Sequence, residues 1–227
     1  MRWQHELVAQ AVAAARDEPG VAEVVVAGSL ADGGGGVDAW SDVDLHVRLA
    51  DDPGALTFDP VAWVARFGVP WAVTSQLTPS GRVVRVVYDD GRRLDVVVDG
   101  QDCTSTASDD AELMEVRQAA ALAVVRFARD DLLIGMHLAL ELVQRCLVQA
   151  MVLRDRQLGT TSHRVGGPFN DVVARLDRLR RHPWTADGGM ALVRDAAEAY
   201  DELALLRDPS CAPDWSGLEA LLRQAGS

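Results

Sequence analysis

Apolar positions in the first hundred residues change period several times, and each change marks an element. Leu7, Val8, Ala11, Val12 and Ala15 recur at three- and four-residue intervals, which predicts a helix over 2–17. Glu18-Pro19-Gly20 ends it. The apolar run 21–27 reads as a first strand, and 42–49, alternating from Asp42 onward, as a second. Asp51-Asp52-Pro53-Gly54 reads as a turn and 60–67 as a short helix. Three more strands follow over 71–77, 82–88 and 93–98, with Asp90-Gly91 as a hairpin signal between the last two. The expected class is α+β: an amino-terminal mixed β-sheet with helices packed against it.

The texture changes at 101–108, QDCTSTAS, which is polar and has no period. It divides an amino-terminal domain, 1–104, from a carboxy-terminal helical bundle, 105–227. Helical patterns cover 110–128, 131–157, 168–181, 187–206 and 215–225. The 131–157 segment is apolar on most of its circumference, which predicts the centre of the bundle. His137, Glu141 and Arg145 interrupt its apolar run, so it reads as too polar to span a bilayer.

Composition narrows the partners. The formal net charge is −12 over 227 residues. That argues against a protein that tracks nucleic-acid phosphates, and it suits a cationic small substrate or simple solubility. All 22 basic residues are arginine. Side-chain contacts to phosphate must then come from Arg, Ser, Thr or His. Cys103, Cys146 and Cys211 lie far apart, forming neither a disulfide framework nor a zinc site. Met1-Arg2-Trp3-Gln4-His5-Glu6 lacks the order of a signal peptide. Together these predict a cytoplasmic protein with no membrane and no nucleic-acid partner.

The candidate chemistry lies in 28–47. Gly28-Ser29 closes the first apolar run, and Asp42-Val43-Asp44 opens the second. Residues two apart on a strand share a face, so Asp42 and Asp44 present paired carboxylates. Such a pair repels itself unless a cation lies between them, and Mg²⁺ takes one or two carboxylates together with substrate phosphates. Asp95 sits amid Leu94, Val96, Val97 and Val98, where an unpaired carboxylate is costly. Gly28, without a Cβ, lets a phosphate approach the backbone, and Ser29 offers a hydroxyl and an N–H. The alternative is an ordinary strand-to-loop turn; Asp42 and Asp44 downstream favour the phosphate role.

This arrangement resembles the signature of the nucleotidyltransferase superfamily related to DNA polymerase β. Gly28-Ser29 matches its glycine-serine element, Asp42 and Asp44 its metal pair, and Asp95 its third carboxylate. Twelve residues separate Ser29 from Asp42, the long end of the family's range, and Gly33-Gly34-Gly35-Gly36 fills part of the gap. Ser41-Asp42-Val43-Asp44-Leu45 looks most like the aminoglycoside and lincosamide nucleotidyltransferases. The resemblance implies a Mg²⁺-dependent enzyme with two ions. It would transfer a nucleoside monophosphate, AMP from ATP, to a hydroxyl of a small antibiotic-like acceptor and release pyrophosphate. Asp95 then either completes the metal site or acts as the base toward the acceptor hydroxyl. Two other functions fit the same residues: nucleotidylation of a protein hydroxyl, and a non-catalytic ligand-binding module.

The helical half offers further candidates. His137 and Glu141, one turn apart, either line the acceptor pocket or form an internal polar pair. Arg154, with Arg164 in the following loop, either grips phosphates or serves the helix dipole. Trp40 stacks on a ligand or packs its loop down. His5 and His46 have no assigned partner.

Overall fold

The computed structural model describes residues 2–31, 36–51, 57–99, 110–159 and 170–226. The chain forms two compact units, 1–118 and 119–227.

In the first unit, α1 (Arg2–Arg16) leads into β1 (Val21–Ala27). A single 3-10 turn, Gly28–Leu30, follows it. Next come β2 (Val43–Leu49) and α2 (Pro60–Val64), the latter extended by a 3-10 turn over Ala65–Phe67. Asp59 caps α2, accepting from the backbone N–H of Val61 and Ala62, and Pro60 occupies the first turn, where its missing N–H costs nothing. β3 (Pro70–Thr78), β4 (Gly81–Tyr88) and β5 (Arg93–Asp99) complete the sheet. The strand order is β1-β2-β5-β4-β3. β2 and β5 run parallel, and every other neighbouring pair is antiparallel. The sheet is mixed, as its pattern predicts.

One face of this sheet is the core. Val43, Leu45 and Val47 on β2, Leu94, Val96 and Val98 on β5, and Val84 and Val86 on β4 are all at most 1% exposed. They pack against Leu7, Ala11 and Ala14 of α1 and against Phe58, Trp63, Val64 and Phe67 around α2. Strand alternation sends the intervening residues to the other face. There the partner positions Ala27, Asp44, Asp95, Arg85 and Thr74 form one row across all five strands.

Helix α3 (Ala111–Ala128) begins in the first unit and ends in the second. Its first half is bound to β3 and β4. Arg117 donates to the Trp71 carbonyl at 2.8 Å, and Gln118 donates to the Arg85 carbonyl at 3.0 Å. These bonds draw residues up to 118 into the sheet unit. The compact division therefore falls later than the 104/105 boundary read from texture, and that boundary itself lies outside the described residues.

The second unit holds the rest of α3, then α4 (Leu132–Leu158), α5 (Asn170–Leu176) with a 3-10 turn over Asp177–Arg181, α6 (Ala186–Arg207) and α7 (Ser216–Ala225). It is helical, as the pattern predicts. Asp131 caps α4 by accepting from the Ile134 N–H, and Gly159 ends it in the left-handed conformation at φ 61°. Gly135 on α4 and Gly189 on α6 both lie against the ring of Phe127. A Cβ at either would meet that ring within 2.7 Å or less.

α4 departs from its expected place at the bundle's centre. It buries one stripe, including Met136, Ala139, Leu142, Cys146 and Leu153. Leu133, Leu140, Leu147 and Met151 remain exposed. A helix apolar all round does not bury all round when neighbours cover only one side. The expectation that it is too polar for a bilayer is also corrected: by length and composition alone α4 is long and apolar enough to cross one. Its buried stripe is that of a helix packed against other helices.

Candidate active site

The parallel pairing of β2 with β5 places Asp44 directly beside Asp95. Asp42 lies just before β2, two residues from Asp44. Ligand oxygens of Asp42, Asp44 and Asp95 all lie within 4.8 Å of one another. An octahedral Mg²⁺ site has metal–oxygen distances near 2.0–2.1 Å, so donors on opposite sides stand about 4 Å apart. The three half-buried carboxylates thus fit a hard divalent cation in both donor chemistry and spacing.

Electrostatics give the same reading. Burial is the largest cause that raises the Asp95 pKa, to about 6; Asp42 and Asp44 add to it, and Arg85 opposes it. Asp44 is raised as well, first by burial and then by the charge of Asp42, while His46 pulls it down. Burial, with mutual repulsion second to it, opposes the ionisation of Asp44 and Asp95, and a bound cation would relieve both.

Gly28 is where the local sequence meets this cluster. Its φ is +59°, a conformation L side chains rarely adopt. A Cβ there would fall 2.0 Å from Asp44 Oδ2. Sequence reasoning assigned the glycine to a close approach of phosphate. What approaches it in the fold is the Asp44 carboxylate. Ser29 follows in the same 3-10 turn and is half-buried.

Several residues to which the sequence reading gave no role hold the site in place. Gln4, fully buried on α1, donates to the carbonyls of Asp38 at 3.0 Å and Ser41 at 3.3 Å. Buried Arg93 donates to the Trp40 carbonyl. Ser41 and Asp38 close the loop on themselves, with Ser41 Oγ donating to Asp38 Oδ1 at 2.9 Å. The segment entering Asp42 is therefore tied to α1 and β5. Arg85 Nε donates to Asp95 Oδ2 at 3.0 Å. The signal for Arg85 was available: it is a charged residue inside an apolar strand, as Asp95 is. Gln4 left no signal, because a glutamine on an apolar helix face identifies no partner 34 or 37 residues away.

The other candidates lie in the second unit. His137, Glu141 and Arg145 line an open depression of about 460 Å³ along α4, together with Leu140, Gln144 and Val148. Glu141 pairs with Arg145 at 3.3 Å, one turn along the helix. Arg154 pairs with its neighbour Asp155 at 3.2 Å, both side chains only 14% exposed, so its charge is already partnered. Arg164 lies outside the described residues.

No family model matches the chain, and no curated protein matches it significantly in sequence. Among solved structures it is similar to the crystal structure of an aminoglycoside 6-adenyltransferase from Bacillus subtilis. The identity is 12%, over 93% of each chain, with a TM-score of 0.29. A likeness that slight has no bearing on the chemistry of this chain.

Proposed function

We propose that the chain is a nucleotidyltransferase, moving a nucleoside monophosphate from a nucleoside triphosphate to a hydroxyl of a small acceptor. The observation that carries this reading is the meeting of Asp42, Asp44 and Asp95 within 4.8 Å, beside the Gly28 turn. The signature read from the sequence supports the same function.

Asp42 and Asp44 would hold Mg²⁺. Such an ion supplies charge stabilisation to the transferring phosphate and the departing pyrophosphate. Asp95 takes the proton of the acceptor hydroxyl as its oxygen bonds to the α-phosphorus and the bond to pyrophosphate breaks. Its burial raises its proton affinity toward working pH, which suits a base better than an ordinary carboxylate. Gly28 leaves Asp44 its place, and Ser29 offers its hydroxyl to the phosphates. The acceptor is a small hydroxyl compound of the aminoglycoside or lincosamide kind. The net charge of −12 favours a cationic one, and a cytoplasmic setting suits both ATP and the free thiols of Cys146 and Cys211.

The test is pyrophosphate release from ATP with Mg²⁺ across a panel of aminoglycosides and lincosamides, with Asp44→Asn as control. Turnover on at least one acceptor is expected, falling at least 100-fold in the control. Absence of both nucleotide binding and turnover would remove this reading. Nucleotide binding without turnover would instead move the acceptor to a protein hydroxyl, or the chain to a binding module.

A further inference from the structure

With no lysine in the chain, arginine is the side chain that always brings positive charge to a triphosphate, and the arginines suggested by sequence lie in the helical unit. In the first unit most are already engaged. Arg93 is buried and spent on the Trp40 and Gly91 carbonyls. Arg92 is bound to Asp90 at 2.6 Å, and Arg48 pairs with Glu23. Arg82 donates to Ser75. Arg85 differs from all of these.

Arg85 stands opposite Asp95 in the β4–β5 register, on the same face as the carboxylates. It grips Asp95 with Nε alone, at 3.0 Å. Neither terminal nitrogen has a partner among the described residues, and the side chain is 52% exposed. The Gln118 side-chain amide donates to the Arg85 carbonyl at 3.0 Å, which helps to hold the strand that carries the guanidinium. Arg85 offsets part of the carboxylates' negative charge, which would otherwise repel an arriving triphosphate.

We infer that Arg85 is the phosphate-contacting cation of this site, holding Asp95 through Nε while its terminal nitrogens take an oxygen of the nucleotide's triphosphate. The inference rests on the nucleotidyl-transfer reading and names a binding residue for it. A guanidinium fork suits two tasks at once, because its donors diverge within one plane.

The test measures two affinities separately. Mn²⁺ binding to the nucleotide-free protein reports the carboxylates. Binding of ATP, and of inorganic tripolyphosphate, in the presence of Ca²⁺ reports the phosphate contact. For Arg85→Gln, affinity for both phosphate probes should fall 10-fold or more, while Mn²⁺ affinity stays the same or rises. Arg85→Lys should recover part of the loss by restoring charge without the fork. Unchanged triphosphate affinity in Arg85→Gln would overturn the inference. So would a parallel loss of Mn²⁺ binding, since Arg85 would then act only by arranging the carboxylates. A wild-type protein that binds neither Mn²⁺ nor tripolyphosphate would remove the nucleotidyl-transfer reading, and this inference with it.

Discussion

Gly28 shows how much a single residue can decide. The Asp44 carboxylate occupies the space a Cβ would fill, and the backbone is in the left-handed region. Gly28→Ala therefore carries two costs: roughly 1–2 kcal/mol for the conformation, and the displacement of a carboxylate from the cluster. The variant is expected to fold with a lowered urea midpoint. Its Mn²⁺ affinity should fall at least 10-fold, which a titration of the nucleotide-free protein would measure. A variant that binds Mn²⁺ as the wild type does would show that Asp44 is not held against Gly28. The need for a glycine was legible from its place after a strand and before Asp42. The reason for it was not, because Asp44 is a neighbour of Gly28 only through the β1–β2 pairing of Ala27 with Asp44.

Among the elements, strands and helices follow the periodicity closely, since burying one face dictates where apolar residues recur. The second strand begins at Val43, leaving Asp42 on the loop that Gln4 and Arg93 fasten. Helix α4 was harder to read. Its sequence is apolar on several sides, yet it buries one stripe, because what covers a helix is set by its neighbours and not by its own composition. The crossing of α3, α4 and α6 has a specific requirement. At Gly189 a Cβ would come within 2.2 Å of Phe127 Cζ. Gly189→Ala should destabilise the protein by about 1–2 kcal/mol, because overpacking outweighs the gain in helix propensity. Thermal melts would show a lower midpoint, with Mn²⁺ binding at the sheet site unchanged. A melting point equal to or above the wild type's would mean that the crossing has room the described packing denies.

For the molecule as a whole, the acidic site makes stability depend on pH. Asp95 has a pKa of about 6 in the folded protein against 3.8 as its ordinary value, chiefly through burial. The folded state thus binds more protons than the unfolded chain between those values. Its stabilising contribution is complete below about pH 4 and is lost as pH rises through 6. Asp95→Asn removes the charge, so in EDTA it should be more stable than the wild type at pH 8, by about 1–3 kcal/mol. That advantage should shrink as pH falls from 6 to 4. Urea midpoints at several pH values would measure it, and an advantage independent of pH would show that Asp95 ionises without cost. The same carboxylates that burden the metal-free fold are those a divalent ion would bind.

The sequence by itself determined the elements, the mixed sheet, the helical second half and the three aspartates, because periodicity, turn residues and out-of-place charges are local properties of the chain. Tertiary structure alone decided that Asp44 fills the space beside Gly28, that Arg85 stands against Asp95, that Gln4 anchors the loop before Asp42, and that α4 is covered on one side. Each of these depends on which strands and helices become neighbours. That choice is made by packing and hydrogen bonding between residues far apart in the chain, and a one-dimensional pattern does not record it.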